Sequence, residues 1–174
     1  PSQRKDMIQI PAIMAAYRTP SMKTRDSRVL DMISSYFSSG KSSILYKKLV
    51  DTKKMALQVG AINLSQEDYG TYILFGLPQG ETKLADIISE IDEEVLKMQT
   101  DLISEKAYQK LQNQFENNYV DSNSSVEGIA NSLARYNVLY GDTNLINTEI
   151  DIYRSITREE IRNAAKKYLN PNQR

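Results

Sequence analysis

The chain has 174 residues, of which 40% are hydrophobic and 25% charged, proportions that are typical of one globular domain with its own core. Lysine and arginine together number 22, as do aspartate and glutamate, so the net charge does not favour a nucleic-acid or anionic-membrane partner. The chain has no histidine and no cysteine, which excludes disulfides, thiolate and imidazole catalysis, and zinc sites built from those residue types.

The N-terminal part of the chain predicts a strand followed by a helix. Residues Ile8 to Tyr17 are apolar and branched, as in a strand, and Pro11 favours an edge or a bulge. Arg18 to Ser21 is expected to be a loop. Asp26 or Ser27 can cap a helix that ends at Gly40, a residue that suits a left-handed C-terminal cap. The face of this helix that is predicted to point inward carries Val29, Leu30, Ile33 and Phe37.

The segment from Ser42 to Ala61 changes from a helical pattern to a strand pattern. Leu45, Lys48 and Leu49 recur at helical spacing, which predicts a helix up to Thr52. A turn at the next two lysines leads into the strand. The four lysines of the segment are expected to be solvent-exposed partners of the helix dipole.

Two strands follow that turn and are predicted to form a hairpin. From Ala56 to Leu64 the residues alternate, so that Leu57, Val59 and Ala61 are expected on one face of the strand. Strong strand formers then run from Thr71 to Gly76. The short polar connection between the two strands favours an antiparallel hairpin.

The second half of the chain has a helical pattern almost to its end. Its first helix is amphipathic, and the acidic run from Asp86 to Glu94 is expected to be a solvated face. Ser104 can cap a second helix, and capping boxes at Ser124–Glu127 and Thr157–Glu160 predict the starts of two more, with another helix at Leu145–Tyr153 between them. The side chains predicted to face inward are Leu84, Ile87, Ile88, Ile91, Val95 and Met98, then Tyr108, Leu111 and Phe115, then Ile129, Leu133 and Tyr136, and finally Ile161, Ala164, Ala165 and Tyr168.

The order of these elements favours an α+β fold, with an antiparallel sheet and helices packed on one of its faces. Strands do not alternate singly with helices, which argues against a doubly wound parallel sheet. Residues 1–174 are expected to form a single domain, excised from the C-terminal part of a longer two-domain or four-domain protein, since the chain starts at Pro1 without a methionine. No apolar run approaches the roughly 18 residues that cross a bilayer, so membrane insertion is not expected.

Several segments resemble the C-terminal, non-zinc domain of the pitrilysin and mitochondrial-processing-peptidase-like (M16) zinc metallopeptidases. The resemblance covers essentially the whole chain, in the right order, and its later segments are similar to bacterial members. The segments that carry it are Ala15–Pro20, Ser39–Leu49, Val59–Ala61, Asn123–Asn131, Tyr140–Asn147 and Ile156–Leu169.

The resemblance implies one half of a clamshell. Such enzymes pair two homologous α+β halves around a chamber that encloses unfolded peptides, and one half carries zinc through a His-x-x-Glu-His motif. Because this chain has no histidine, it resembles the half without zinc. The implied partners are a homologous half or subunit and unfolded peptide substrates, with zinc in the parent's other domain or in a partner. Bacterial relatives also favour the periplasm or cell envelope.

The resemblance also implies two positions in the substrate cleft. Active members carry an arginine near the end of the helix and a tyrosine seven residues later, which face the zinc and can stabilise the negative charge that develops on the carbonyl oxygen. In this chain those positions fall on Val50 and Leu57, and neither side chain can donate a hydrogen bond. No catalytic residue and no metal ligand is therefore expected in this chain.

Two functional hypotheses follow from the resemblance. In the first, the chain is the non-catalytic C-terminal domain of a zinc-dependent endopeptidase-like protein, and it forms part of the peptide chamber and the interface with a partner. In the second, it is a purely structural subunit domain of an inactive peptidase homologue. Under both hypotheses the chain alone cleaves nothing, and a His-x-x-Glu-His motif in the other half would favour the enzyme.

Overall fold

A computed structural model describes residues 11–174, and the strands within them are β1 (Ile13–Pro20), β2 (Ala56–Leu64) and β3 (Tyr69–Pro78). These strands form one antiparallel sheet in the order β1-β3-β2. Both hairpin strands were predicted, and the structure extends β3 by two residues at each end. The sheet lies beside a set of helices, so the predicted α+β fold with a small antiparallel sheet is confirmed.

The predicted bounds of the first strand were wrong at its C-terminal end. Arg18, Thr19 and Pro20 were expected in a loop, but they pair with Thr71, Gly70 and Tyr69 of β3 and continue β1. Pro20 is the last residue of this edge strand, where its missing N–H group costs no ladder hydrogen bond. The predicted residues 8–10 lie outside the part of the chain that the structure describes.

Helices make up most of the rest of the described chain, and their bounds are α1 (Arg25–Ser38), α2 (Leu84–Thr100), α3 (Glu105–Ser122), α4 (Val126–Tyr140), α5 (Leu145–Ser155) and α6 (Arg158–Tyr168). A π-helix (Tyr46–Thr52) precedes β2, and a 3-10 turn (Pro171–Gln173) follows α6. Among residues 11–174, no helix is both long enough and apolar enough to cross a membrane.

The hydrophobic core lies between the inner face of the sheet and the helices. Alternation along β1 and β3 buries Ala15, Tyr17, Tyr72 and Leu74, while the residues between them point to the opposite face. The helices cover the buried face with Leu30, Ile33, Phe37, Ile87, Ile91, Ile161 and Ala165. Each large side chain buried in this way contributes about 1.5–3 kcal/mol of transfer free energy, so one face of the sheet provides much of the driving force for folding.

The helix caps confirm some sequence predictions and correct others. Ser104 caps α3 and the Thr157–Glu160 capping box starts α6, both as predicted. Thr24, rather than Asp26 or Ser27, caps α1, because its hydroxyl accepts from the Ser27 N–H. Similarly, Ser125 caps α4 in place of Ser124, so the predicted Ser124–Glu127 box does not form. In both cases the observed cap lies one to three residues from the predicted cap, so a different side chain accepts a hydrogen bond from the first turn of the helix.

Helix α4 is the element whose predicted inward face is wrong. Ile129 and Leu133 were expected in the core, yet they are 40% and 36% exposed, and only Tyr136 of that set is buried. Among the described residues, the helix packs mainly on α5 and α3. These neighbours cover only part of its apolar stripe.

Candidate functional site

The joint between the π-helix and β2 contains both predicted cleft positions. The helix predicted here does form, but it is wound as a π-helix: the Lys53 N–H donates to the Lys48 carbonyl at 2.9 Å. The Met55 N–H then donates to the Leu49 carbonyl at 2.8 Å, and Lys54 takes a positive φ of 51° in the turn. Wide turns of this kind are rare and are found frequently at functional sites.

Val50 and Leu57 have different environments in this joint. Val50 is half-buried and packs against the margin of the core, whereas Leu57 is 54% exposed at the start of β2. Sequence alternation placed Leu57 on the same face as Val59 and Ala61, and this prediction was wrong. A β-bulge between Ala56 and Gln58 shifts the register, which leaves Leu57 exposed while Val59 remains buried.

Leu57 lines an open groove of about 620 Å³ at the end of the sheet. Pro11 and Pro78 form part of its wall, and Thr82 of the loop before α2 and Leu84, the first residue of α2, also line it. Leu57 and the two prolines offer no side-chain hydrogen-bond donor to this space, whereas Thr82 and Lys83, which also line it, carry donors. Leu57 itself can therefore contact an apolar side chain but cannot stabilise an oxyanion.

Two of the lysines near Val50 in the sequence, Lys48 and Lys53, pair with carboxylates of α2. Lys48 Nζ lies 2.9 Å from Glu90 Oε2, 2.9 Å from Glu93 Oε2 and 2.8 Å from Glu94 Oε1. Lys53 forms a second ion pair with Glu90. The prediction of a simply solvated face was thus wrong for Lys48, Lys53 and the acidic run, in which Glu94 is buried, whereas the other two lysines of the segment are exposed as predicted.

This ion cluster shifts the pKa values of its members. Burial lowers the pKa of Lys48, but hydrogen bonds to Glu94, Glu93 and Glu90 outweigh that effect and raise it above its ordinary value. Hydrogen bonds from Lys97 and Lys48 hold the pKa of Glu93 at about 2. Lys48 is therefore a charged link between the π-helix and α2, and its ammonium group is not available to replace the arginine that the resemblance implies at Val50.

The face of the sheet opposite the helices carries an uncovered apolar surface. Met14, Ile62 and Leu64 are 64%, 42% and 47% exposed, and they surround the half-exposed Ile73 and Phe75 of the central strand. We call these five residues the outer sheet face. The strand register aligns them in rows, with Met14 opposite Phe75 and Ile73 opposite Ile62. The alternation of apolar residues predicted strands with two distinct faces, but it did not predict which of the two faces the helices cover.

The side chains of this chain do not fit the zinc site that its resemblance implies for the enzyme. The chain has no histidine and no cysteine, and no group of three acidic residues in the described part of the chain is arranged to hold a metal ion. The densest acidic run is compensated by Lys48, Lys53 and Lys97. A zinc-bound hydroxide therefore cannot be derived from the residues present.

Comparison with known proteins identifies relatives of this chain. The peptidase M16 inactive domain family matches residues 2–115. The zinc protease PqqE of Helicobacter pylori is 25% identical over 132 residues, which are 76% of this chain and 30% of that protein. This chain therefore spans less than a third of that relative's length.

Solved structures of similar proteins share the fold. A protease from Helicobacter pylori superposes with a TM-score of 0.89 at 21% identity, over 97% of this chain and 41% of that one. The inactive peptidase domain of a provisionally assigned zinc protease from Bordetella parapertussis has a TM-score of 0.82 at 18% identity and covers 98% of this chain and 90% of that one. The fold, the absence of zinc ligands and the family match agree, and the chain belongs to the peptidase M16 inactive domain family.

Proposed function

We propose that this domain is the non-catalytic half of a two-half zinc endopeptidase-like protein, in which the outer sheet face forms part of the wall of the peptide chamber. The observation that carries the proposal is that the helices of residues 11–174 cover one face of the sheet and leave Met14, Ile62 and Leu64 of the other face exposed. A contiguous apolar surface of this kind typically marks an interaction site. Unfolded peptides expose apolar side chains that such a surface can contact.

The role assigned here is binding and not bond cleavage. Val50 and Leu57 occupy the positions of the arginine and tyrosine of active members but offer no side-chain donor. Lys48 and Lys53, the neighbouring cations, are held by the carboxylates of α2. Zinc and the catalytic base would then be contributed by a homologous half, in the same protein or in a partner subunit.

A purely structural role is the second candidate, and a specific observation favours it. Both donor positions have lost their hydrogen-bonding groups together, and Val50 packs against the core instead of pointing freely into solvent. A subunit that never meets substrate would tolerate this loss at no cost. The two candidates differ in whether the outer sheet face contacts peptide.

The proposal can be tested by introducing charges on the outer sheet face and measuring the affinity of the variant for peptide. Fluorescence anisotropy of a labelled, unstructured apolar peptide is measured with the wild-type chain and with the double variant Met14→Lys/Ile62→Lys. We expect the double variant to bind at least about fivefold more weakly, because two charges replace apolar contact area. Circular dichroism establishes that the variant is folded.

Leu96→Lys/Val138→Lys is the matched control. It introduces the same two charges at apolar positions that are also exposed, 58% and 73%, but on helices α2 and α4. We expect this variant to bind the peptide like the wild-type chain. Equal weakening by both variants, or no measurable peptide binding by the wild-type chain, would favour the purely structural role.

A further inference from the structure

A second open groove lies on the helical side of the molecule, between α3 and the loop that follows α1. It has a volume of about 630 Å³ and is lined by two serines of the loop and seven residues of α3. All nine are polar, and none is acidic or aromatic. This groove does not include the outer sheet face or the joint at Leu57.

The lining residues of α3 form two rows along the helix. Gln109, Asn113 and Asn117 recur every four residues in one row, and Lys106, Lys110, Gln114 and Asn118 do so in the next. On the opposite side of the helix, Leu111 is buried and holds α3 to the core. The amide rows therefore face the groove because the apolar stripe of this amphipathic helix faces inward.

Two hydrogen bonds fasten the walls of the groove to each other. Gln114 Nε2 donates to Ser39 Oγ, and Lys110 Nζ donates to Ser42 Oγ. The amides of Asn113 and Asn117 make no side-chain hydrogen bond within residues 11–174 and are exposed. The groove is thus preformed, with amide donors and acceptors that are directed to solvent and remain available.

The spacing of the amides matches an extended polypeptide. Four residues of an α-helix rise about 6.0 Å, and two residues of an extended strand span about 6.6 Å. Each amide offers one acceptor and two donors, so successive side chains of a row can meet successive N–H and C=O groups on one edge of a strand. Such contacts recognise the main chain and are independent of its sequence.

The charge of the groove selects among extended polypeptides. Lys106 and Lys110 line it, and neither forms an ion pair among the described residues. A net positive, hydrogen-bonding groove favours carboxylate side chains in its ligand. Because no aromatic residue lines the groove, the stacking that holds single-stranded nucleic acids has no platform here.

We propose that the groove between α3 and the Ser39–Ser42 loop is a docking site for an extended, acidic polypeptide segment of a partner protein. The asparagines bind its main chain, and Lys106 and Lys110 pair with its carboxylates. The proposal is independent of the proposed chamber wall, since it concerns a different surface and a different ligand chemistry.

Anisotropy titrations with three unstructured, fluorescein-labelled peptides test the docking site. The peptides alternate serine with glutamate, with glutamine or with lysine, so that only their charge differs. We expect the glutamate peptide to bind at least tenfold more tightly than the glutamine peptide, and the lysine peptide not to bind. Binding of the glutamate peptide should weaken as salt rises.

Variants of the groove locate the binding. Asn113→Ala/Asn117→Ala and Lys106→Gln/Lys110→Gln should each weaken binding of the glutamate peptide at least fivefold. The matched controls Asn131→Ala on α4 and Lys166→Gln on α6 replace exposed residues of the same types outside the groove and should change nothing. The proposal is overturned if the peptides bind equally, if the controls weaken binding as much as the groove variants, or if oligothymidylate displaces the glutamate peptide at equal concentration.

Discussion

Lys48 links the π-helix to α2 through several ion pairs on one face of that helix. Its side chain is 17% exposed, and its ammonium group contacts three carboxylates of α2, one of which belongs to the buried Glu94. Burying a charged group costs desolvation free energy, and an ion-pair partner offsets that cost only while it is present. Glu94 therefore depends on Lys48 far more than an exposed glutamate would.

Replacing Lys48 with glutamine is expected to lower the free energy of unfolding by about 1–2 kcal/mol, because the buried Glu94 would keep only the more exposed Lys97 as a cationic partner. Urea denaturation at pH 7 measures the effect. Lys47→Gln serves as the control, since Lys47 is exposed and should change stability by less than about 0.5 kcal/mol. Equal effects of the two substitutions would show that the ion cluster is not a stabilising anchor.

Glu160 gives the domain a stability that depends on pH. A hydrogen bond from Arg25, at 2.6 Å, and the bond from the Thr157 N–H hold its pKa at about 2, against an ordinary value of 4.5. A carboxylate with a lowered pKa stabilises the fold above its unfolded pKa and loses that contribution as the pH falls towards its folded pKa. The contribution of Glu160 is accordingly lost between about pH 5 and pH 2.

Glu160→Gln should therefore destabilise the chain by about 1 kcal/mol at pH 7, and the difference from the wild-type chain should shrink as the pH is lowered below about 5. Urea unfolding at pH 7, 5 and 3 follows this change. Glu127→Gln, at an exposed position in the first turn of α4, should show a small difference at all three pH values. A difference for Glu160→Gln that is constant with pH would contradict the assignment.

At the scale of the elements, β2 and β3 pack closely where Gly60 of β2 lies opposite the aromatic ring of Phe75 in β3. A Cβ atom built on Gly60 would lie 2.2 Å from Phe75 Cε1, so the ring occupies the space above the glycine on the outer sheet face. Gly60→Ala should cost about 1–2 kcal/mol through overpacking. In a Phe75→Ala background the same substitution should cost less than half as much, which a double-mutant cycle of unfolding free energies measures. The same cost in both backgrounds would disprove the ring contact.

The pattern of the sequence predicted most elements but not their local windings. The helix before β2 was predicted, yet the spacing of Leu45, Lys48 and Leu49 does not distinguish π from α winding, and the ion pairs of Lys48 with α2 are long-range contacts that the local pattern does not contain. The face of Leu57 was predicted wrongly for a related reason. A bulge inserts one residue into the ladder, and its position depends on the partner strand, which periodicity within β2 does not contain.

Long-range polar contacts between helices were equally invisible in the sequence. Arg28 of α1 pairs with the buried Glu149 of α5 at 3.1 Å, and Asp31 accepts a hydrogen bond from Tyr153 at 2.9 Å. Burial raises the pKa of Asp31 above its usual range. The sequence pattern places these polar residues on helix surfaces but does not indicate their partners. Only the packing of α5 on α1 brings them together.

At the scale of the whole molecule, the fold class and the family followed from the sequence, while the arrangement of its surfaces required the structure. The absence of histidine already indicated, with the resemblance, the half without zinc. The uncovered sheet face, in contrast, depends on which side of the sheet α1, α2 and α6 pack against. The proposed chamber wall and the proposed docking site lie on different surfaces of the domain, so one domain could contact a peptide and a partner at once.

Site-specific photo-cross-linking tests most directly whether this inactive domain binds peptide through its sheet. A p-benzoylphenylalanine residue is introduced at Ile62 of the outer sheet face, or at the exposed Leu96 of α2, and the chain is irradiated with a labelled unstructured peptide. We predict that the probe at Ile62 forms cross-links to the peptide and that the probe at Leu96 forms few. Cross-linking at Leu96 that equals or exceeds the yield at Ile62 would contradict the assignment of the outer sheet face as a chamber wall.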